Sequence, residues 1–477
     1  MKTKNLSVLA AIALVFALVF TACDTGGGGG GGGPGGQTGG GNQGDQTGTQ
    51  RQLAFELINN GTAYRVRKGT VNSGNAVIPA YWNGTTGRAA RAAGDDLPVT
   101  EIGKADDKEG NGAFEGTDIT DITIPETVEL IGSNAFRHNR RLTRLVIPEG
   151  VKVIGDEALY GCYNITSITI PASVTEIYSG VFSNNKRLTD IKVDPDNPNY
   201  RGEGGILYTN IEGFYVDGIH YTDDKEKTIL HSYPSAKDNV TIPEGVTYIG
   251  DYAFFSSDTT SVAIPGTVTE IGYWAFSHCT SLTSIEIPEG VKLINQEAFA
   301  YCTNLTSVTL PASMIGSTLI GSLFTGCTSL SDINVAADSL YYTGKNGMLF
   351  NKNPDYLALY AYPSAKGNVT NLPTNLEGID NFVFENNTNI TGITIPNDLE
   401  YIGNRAFGDC TSITTITIPA SVTYICSGAF EGWTSSQTIN IQGKADRAAT
   451  IAAGWPEDWD RGFHTNEKIK AKIVYEP

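Results

Sequence analysis

The chain has 477 residues and a formal net charge of −18, from 33 Lys and Arg against 51 Asp and Glu. That average field repels nucleic acid, and no basic stretch offsets it. With 40% hydrophobic and 18% charged residues the composition supports a buried core and argues against a wholly disordered chain. Seven cysteines, an odd number, are too few for a disulfide framework, and five histidines leave little material for a metal centre, so no cofactor or metal is expected.

Lys2 and Lys4 precede an apolar stretch from Leu6 to Phe20 that ends in Thr21-Ala22-Cys23. Charge, a short hydrophobic run and small residues before a cut site describe a secretory signal. The cysteine at the cut resembles a bacterial lipoprotein signal, which implies a signal peptide over residues 1–22 and lipidation of Cys23. Phe20 departs from the Leu usual three positions before that Cys. An ordinary signal peptide cut elsewhere is the alternative. Residues 23–50, with an unbroken run from Gly26 to Gly33, read as a flexible tether with a root-mean-square reach of roughly 25–30 Å. Apart from the signal, no apolar run is long enough to span a bilayer.

Residues 51–115 read as an N-terminal cap and first irregular turn. Leu53–Ile58 and Ala63–Val66 flank Asn60-Gly61, a hairpin signal. From 116 to 442 a pattern recurs at about 23 residues. An alternating strand such as Leu282–Ile287 ends at a Pro (Pro125, Pro148, Pro171, Pro243, Pro265, Pro288, Pro311, Pro396, Pro419). A segment like Val174-Thr175-Glu176-Ile177 follows, then often a Gly (Gly132, Gly155, Gly250, Gly272, Gly403), then an Ala-Phe pair. Pro cannot donate to a ladder, Gly suits a bend of positive φ, and Ala leaves room for the Phe ring. One such unit cannot bury its own apolar face; stacked copies can. The expected fold is therefore a repeat solenoid, mainly β with short helical or irregular turns, of about a dozen turns.

The unit resembles the leucine-rich repeat of the BspA-like, or Treponema-type, family, from about residue 53 to 442. The resemblance implies a leucine-rich-repeat arc with irregular turns, here residues 194–239 and 336–372, as hairpins projecting from the solenoid. Each holds an aromatic strand (Ile206-Leu207-Tyr208; Met348-Leu349-Phe350) followed by Tyr-Pro-Ser-Ala-Lys (233–237; 362–366). Asp194, Ala336 and Gln442 stand where Pro is expected, and Leu159 replaces one core Phe. Residues 443–477 read as a C-terminal cap, with a helix from Lys444 to Ala453, Trp455 and Trp459 over the last turn, and a closing strand from Ile469 to Tyr475.

Cys162, Cys279, Cys302, Cys327 and Cys410 share one repeat position with Asn139 and Asn185, which suggests buried side chains bonded to backbone. A bridge among the neighbours Cys279, Cys302 and Cys327 is the alternative. Cys426 takes a position usually held by Gly. His138 and His278 fall on surface turns, expected at roughly 25 Å apart or more; His220 and His231 share one insert and could meet across a hairpin. No nucleophile elbow, phosphate loop, zinc-protease helix or dinucleotide fingerprint is present, so the chain does not read as an enzyme. The candidate ligand face comprises Arg144, Lys192 and Glu286 on outward strand positions and Tyr252, Tyr273 and Trp274 near the Ala-Phe turn, with the inserts as further carriers of specificity. BspA-like relatives imply a lipid-anchored adhesin at the bacterial outer-membrane surface, held to the membrane only by its lipid. It would bind host extracellular-matrix proteins or other bacteria. A periplasm-facing, non-adhesive envelope scaffold is the alternative. A carbohydrate-active enzyme would need a carboxylate pair in a cleft, and a crystal-binding Thr face is broken by Arg144, Lys192 and Glu286.

Overall fold

The computed structural model describes residues 53–69, 73–82, 96–108, 110–209, 215–216, 219–220, 228–237, 240–315, 320–462 and 467–477; Cys23, the signal segment and the tether lie outside them. Each regular turn has two short parallel strand positions and a corner. In the strand Ser284–Glu286, Ile285 is buried and its neighbours Ser284 and Glu286 are exposed, the alternation of a one-sided sheet. Pro288 ends it and closes a turn by accepting the Val291 amide at 3.1 Å. A second strand follows, Leu293–Ile294, which the sequence pattern did not mark as a strand. Two-residue pairs of this kind carry too little alternation to be read locally.

These positions build two sets of parallel ladders. On the proline-flanked side, Val240–Thr241, Val262–Ala263, Ser284–Glu286, Ser307–Leu310 and Asp332–Val335 pair in that order. On the glycine-flanked side, Val246–Ile249 pairs Glu270–Ile271, which pairs Leu293–Ile294. Between them the core Phe rings stack from turn to turn: Phe254 on Phe276 at 4.7 Å, Phe276 on Phe299 at 5.3 Å, Phe384 on Phe407 at 5.1 Å. All are fully buried, each contributing about 1.5–3 kcal/mol by burial. Leu159 fills the same place in its own turn at 1% exposure.

The recurrent glycines serve a different purpose from the one their spacing suggested. Gly132, Gly155, Gly250, Gly272 and Gly403 do not take positive φ. A Cβ at Gly132 would lie 2.2 Å from the Lys104 carbonyl, and at Gly403 2.6 Å from the Asn381 nitrogen. Glycine is needed because consecutive turns touch there. Positive φ falls instead at the corner, just before the Ala (Asn134, Glu157, Tyr252, Trp274, Glu297, Arg405) and two residues after the Phe (His138, His278, Tyr301, Asn386, Asp409). Asn and Asp tolerate that region; the bulky residues there are held by packing.

Both inserts send a three-stranded septum across the core; the first also carries a separate two-stranded hairpin, Tyr215–Val216 with Ile219–His220. In the first, Tyr200–Glu203 and Ile206–Thr209 form an antiparallel hairpin, and Ile206–Thr209 then pairs antiparallel with Thr228–Ser232. All four residues of Ile206–Thr209 are buried. Leu207 packs into the core of the preceding turns, whereas Ile206 and Tyr208 pack into that of the following ones. The second insert repeats this with Tyr342–Lys345, Met348–Asn351 and Ala358–Ala361, with Leu349 on one side and Met348 and Phe350 on the other. The strand is buried on both faces because each septum closes one core and opens the next. Tyr233 donates its amide to Ala253 and stacks on Phe254 at 4.5 Å, the place of a core Phe. Tyr362 takes the same role beside Phe384. At Asp194 and Ala336, where Pro is missing, the amides bond Ile170 and Leu310 and lengthen the ladder by one rung.

Both ends are covered. Ala54–Ile58 and Ala63–Arg67 form the N-terminal hairpin, joined by a 3-10 turn at Asn59–Gly61 in which all three residues take positive φ. At the C-terminus the helix is shorter than expected, Arg447–Ala452, because Asp446 caps it by accepting the Ala449 amide at 2.8 Å. Trp455 and Trp459 are buried over the last turn, and Trp455 Nε1 donates to the Val422 carbonyl at 3.1 Å. Lys472–Glu476 adds parallel to Thr438–Gln442. Among the described residues no helix is long and apolar enough to cross a membrane.

Candidate binding surface

The six candidate ligand residues fall in two places. Arg144, Lys192 and Glu286 are exposed on the proline-flanked side, where Lys192 pairs with Asp190 at 3.6 Å. Lys192 lies opposite Thr169, and Glu286 lies between Ala263 and Thr309. Tyr252, Tyr273 and Trp274 are half-buried on the corner. The fold does not join the two sets.

The corner does gather a set of aromatic residues that spacing missed. Tyr252 stacks on Trp274 at 5.1 Å and lies 5.4 Å from Phe255. Phe255 is 6.0 Å from Tyr160 and 5.2 Å from His278, and His278 stacks on Tyr301 at 4.6 Å. At the other end His138 meets Tyr160 edge-on at 5.3 Å, with the Arg137 guanidinium 5.0 Å over the same ring. Two rings therefore link His138 to His278, which lie well inside the 25 Å that counting turns suggested. Partial burial pushes the Tyr160 and Tyr301 hydroxyls up and the His278 imidazole down, which favours neutral side chains along the strip. The Trp274 indole N–H donates to Glu297 Oε2 at 3.0 Å.

The strip crosses the first insert because Tyr233-Pro234-Ser235 supplies the core ring without a corner. The corners on either side then meet directly. Asn184 donates its amide to the Phe255 carbonyl at 3.4 Å, Ser256 Oγ donates to Asn184 Oδ1 at 3.1 Å, and Lys186 pairs with Asp258 at 2.9 Å. The second insert is bypassed in the same way: Asn389 Nδ2 donates to the Thr328 carbonyl at 3.1 Å, and Thr325 Oγ1 to Glu385 Oε2 at 3.2 Å. Beyond it the corner becomes ionic, with Arg405 bonded to Glu385, to Asp409 at 2.7 Å and to Glu431 at 2.6 Å.

The cysteines form the ladder that their shared position suggested. Cys162, Cys279, Cys302, Cys327 and Cys410 each donate Sγ–H to the carbonyl of the core Phe one layer back, at 2.9–3.1 Å. Asn139 and Trp433 do the same with nitrogen. All six described cysteines are free thiols, and burial pushes the thiols of Cys162, Cys279, Cys327 and Cys410 up to about 12. Such thiols are inert. Cys426 bonds the Tyr401 hydroxyl at 3.2 Å. His220 and His231 are not on paired strands: His220 pairs with Tyr215, while the strand of His231 lies between Ile206–Thr209 and Val246–Ile249. Among the described residues no cluster of three or more His, Cys, Asp or Glu is placed to hold a metal ion.

A parallel-strand repeat with an ordered corner is the architecture of a repeat interaction scaffold. A sequence profile of the BspA-type leucine-rich repeat region, six copies long, matches residues 108–221, 232–353 and 355–450. The chain belongs to that family. Among solved structures it is similar to a leucine-rich repeat protein from Eubacterium ventriosum, at 22% identity and TM-score 0.42, over 80% of this chain and 93% of that one. A leucine-rich cell surface protein from Faecalibacterium prausnitzii is 23% identical at TM-score 0.38, over 91% and 94%. The pneumococcal vaccine antigen PcpA is 15% identical at TM-score 0.43, over 90% and 98%. No curated protein matches the chain.

Proposed function

We propose that this chain is a lipid-anchored, extracytoplasmic binding protein that uses its aromatic corner to grip a protein partner, as an adhesin on the bacterial surface. The observation that carries the reading is the strip from His138 to Tyr301, a run of half-buried and exposed rings on a rigid frame that continues across an insert. Aromatic side chains on a fixed scaffold anchor protein interfaces at low entropic cost. The acidic balance favours basic or neutral partners. Cys23 supplies the anchor and residues 24–50 the reach. The reading is non-catalytic, and the surfaces of host matrix proteins or of neighbouring bacteria are the partners in view.

Protease shaving of intact cells tests the address: release of peptides from 51–477 places the body outside, and protection until the outer membrane is opened removes the adhesin reading in favour of an envelope scaffold. A matrix-protein panel then tests the strip. Tyr252→Asn and Trp274→Asn suit the comparison, because Asn134 holds the equivalent left-handed position. Loss of binding of tenfold or more is expected for the pair, and full retention would place the contact elsewhere.

A further inference from the structure

At the first insert the glycine-flanked ladder stops at Glu176–Ile177 and resumes at Thr228–Ser232. Ile177 is served across the gap by side chains. Its amide donates to Tyr200 Oη at 2.7 Å, and its carbonyl meets His231 Nε2 at 3.0 Å. A carbonyl only accepts, so Nε2 carries a proton, while Nδ1 lies 2.8 Å from the Ser232 hydroxyl, which donates to a neutral ring and accepts from a charged one. The imidazole is 4% exposed and edge-on to Tyr200 at 6.0 Å, and that burial favours the neutral ring.

Tyr200 packs on His231 from the hairpin, and Glu176 and Tyr178 flank Ile177. Tyr248 and Asp251, from the turn that follows, line a small depression with His231, Ser179, Ile229 and Gly250. Asp251 Oδ1 already accepts from Tyr248 Oη at 2.6 Å and from the Tyr273 amide at 2.9 Å. Burial pushes the His231 imidazole down from its ordinary 6.5 to about 4. A base held neutral in the closed form but free to charge in the open form favours opening as pH falls from about 6.5 to 4, by up to about tenfold per unit. The second insert carries Tyr360 in the same register, two residues before its own Tyr-Pro-Ser-Ala-Lys.

We propose that the first insert is an acid-opened joint: a charged His231 is too costly to keep in its buried place, so protonation draws Thr228–Ser232 away from Ile177 and lets the turns before the insert part from those after it, while the second insert stays closed. The aromatic strip crosses this joint, with Tyr160 on one side and Phe255 on the other. Acid would then disassemble the binding surface as well; that consequence rests on the function proposed above, and the joint itself does not.

The test is peptide-resolved hydrogen exchange on the full chain between pH 7.5 and 4.5, corrected for intrinsic rates, together with the titration of the His231 imidazole followed by exchange of its ring C–H. Neither readout involves a ligand, so a failure here is separable from failure of the adhesin reading. Protection over 176–182 and 228–236 should fall about tenfold per unit below pH 6.5, while 342–362 holds. His231→Gln, which keeps a donor for Ile177 without a titrating ring, should remove the response, and Asp258→Asn, which removes the Lys186–Asp258 ion pair across the joint, should leave it. The proposal is overturned by an imidazole pKa near 6.5, by equal loss at both inserts, or by an undiminished acid response in His231→Gln. The imidazole titration is made on the unaltered chain and decides the matter even where the Gln variant does not fold.

Discussion

The first and second inserts make the same backbone bonds in the same order. Ile191 and Ile333 donate to Gly205 and Gly347, each at 2.9 Å, and Ala236 and Ala365 donate to Leu188 and Leu330. Tyr233 and Tyr362 turn their hydroxyls back on the Lys237 and Gly367 carbonyls. The buried ionisable chemistry differs. The first insert holds a base, His231. The second insert meets an acid: the amide of the half-buried Asp380 bonds Leu359 in the last strand of the insert, and burial together with its carboxylate charge holds the Tyr356, Tyr360 and Tyr401 hydroxyls and the Cys426 thiol up. A shared geometry can therefore carry opposite responses to pH, because backbone bonds set the frame while one desolvated side chain sets the titration.

The septa should respond most strongly to substitution. Leu207→Ala and Leu349→Ala remove fully buried side chains at matched positions, and each should cost about 2–5 kcal/mol. Denaturant unfolding with segment-resolved hydrogen exchange would measure this, since a repeat array need not unfold in one step. Costs that differ by more than twofold would mean the two septa are not equivalent.

The next effect is of opposite sign to that at His231. Burial pushes Asp380 up from 3.8 to about 7. Its folded form holds a proton that the unfolded chain gives up, so the stability is present at low pH and lost as pH rises from about 4 through 7. Asp380→Asn keeps an acceptor for the Asn381 amide and should flatten that slope, by at most about 4 kcal/mol. Stability curves at pH 5 and pH 8 check it; an unchanged slope would remove Asp380 from the contrast.

The smallest contrast is on the hairpins. Arg201 lies 4.6 Å over the Tyr208 ring, whereas the second insert has Thr343 and Phe350 in those places. Arg201→Thr should cost about 0.5–1 kcal/mol, read as a small shift in the thermal midpoint, and a larger loss would mean the guanidinium does more than cover the ring.

Local signals in the sequence were read well where one residue decides the outcome. Pro288 ends a strand whatever surrounds it, Asn60-Gly61 turns the hairpin, and the shared position of Cys162 and Cys410 announces a buried row. Gly132 and Gly403 are different, because a single turn shows the bend but not the carbonyl or amide of the turn it leans on. Tyr160 and Phe255 are unremarkable in their own turns, and Ile206–Thr209 and Met348–Asn351 resemble ordinary hairpin strands, so neither the strip nor the septa are visible locally.

The sequence by itself determined the repeat, its period, its two interruptions and its family, since each depends on residue types recurring in register along the chain. Tertiary structure alone decided that the inserts wall off three cores, that the corner runs on past them, and that His231 is sealed against Ile177. Those outcomes depend on which turns come to touch once Tyr233 and Tyr362 take the place of a Phe and omit the corner. That is a through-space consequence of stacking, and no local pattern encodes it.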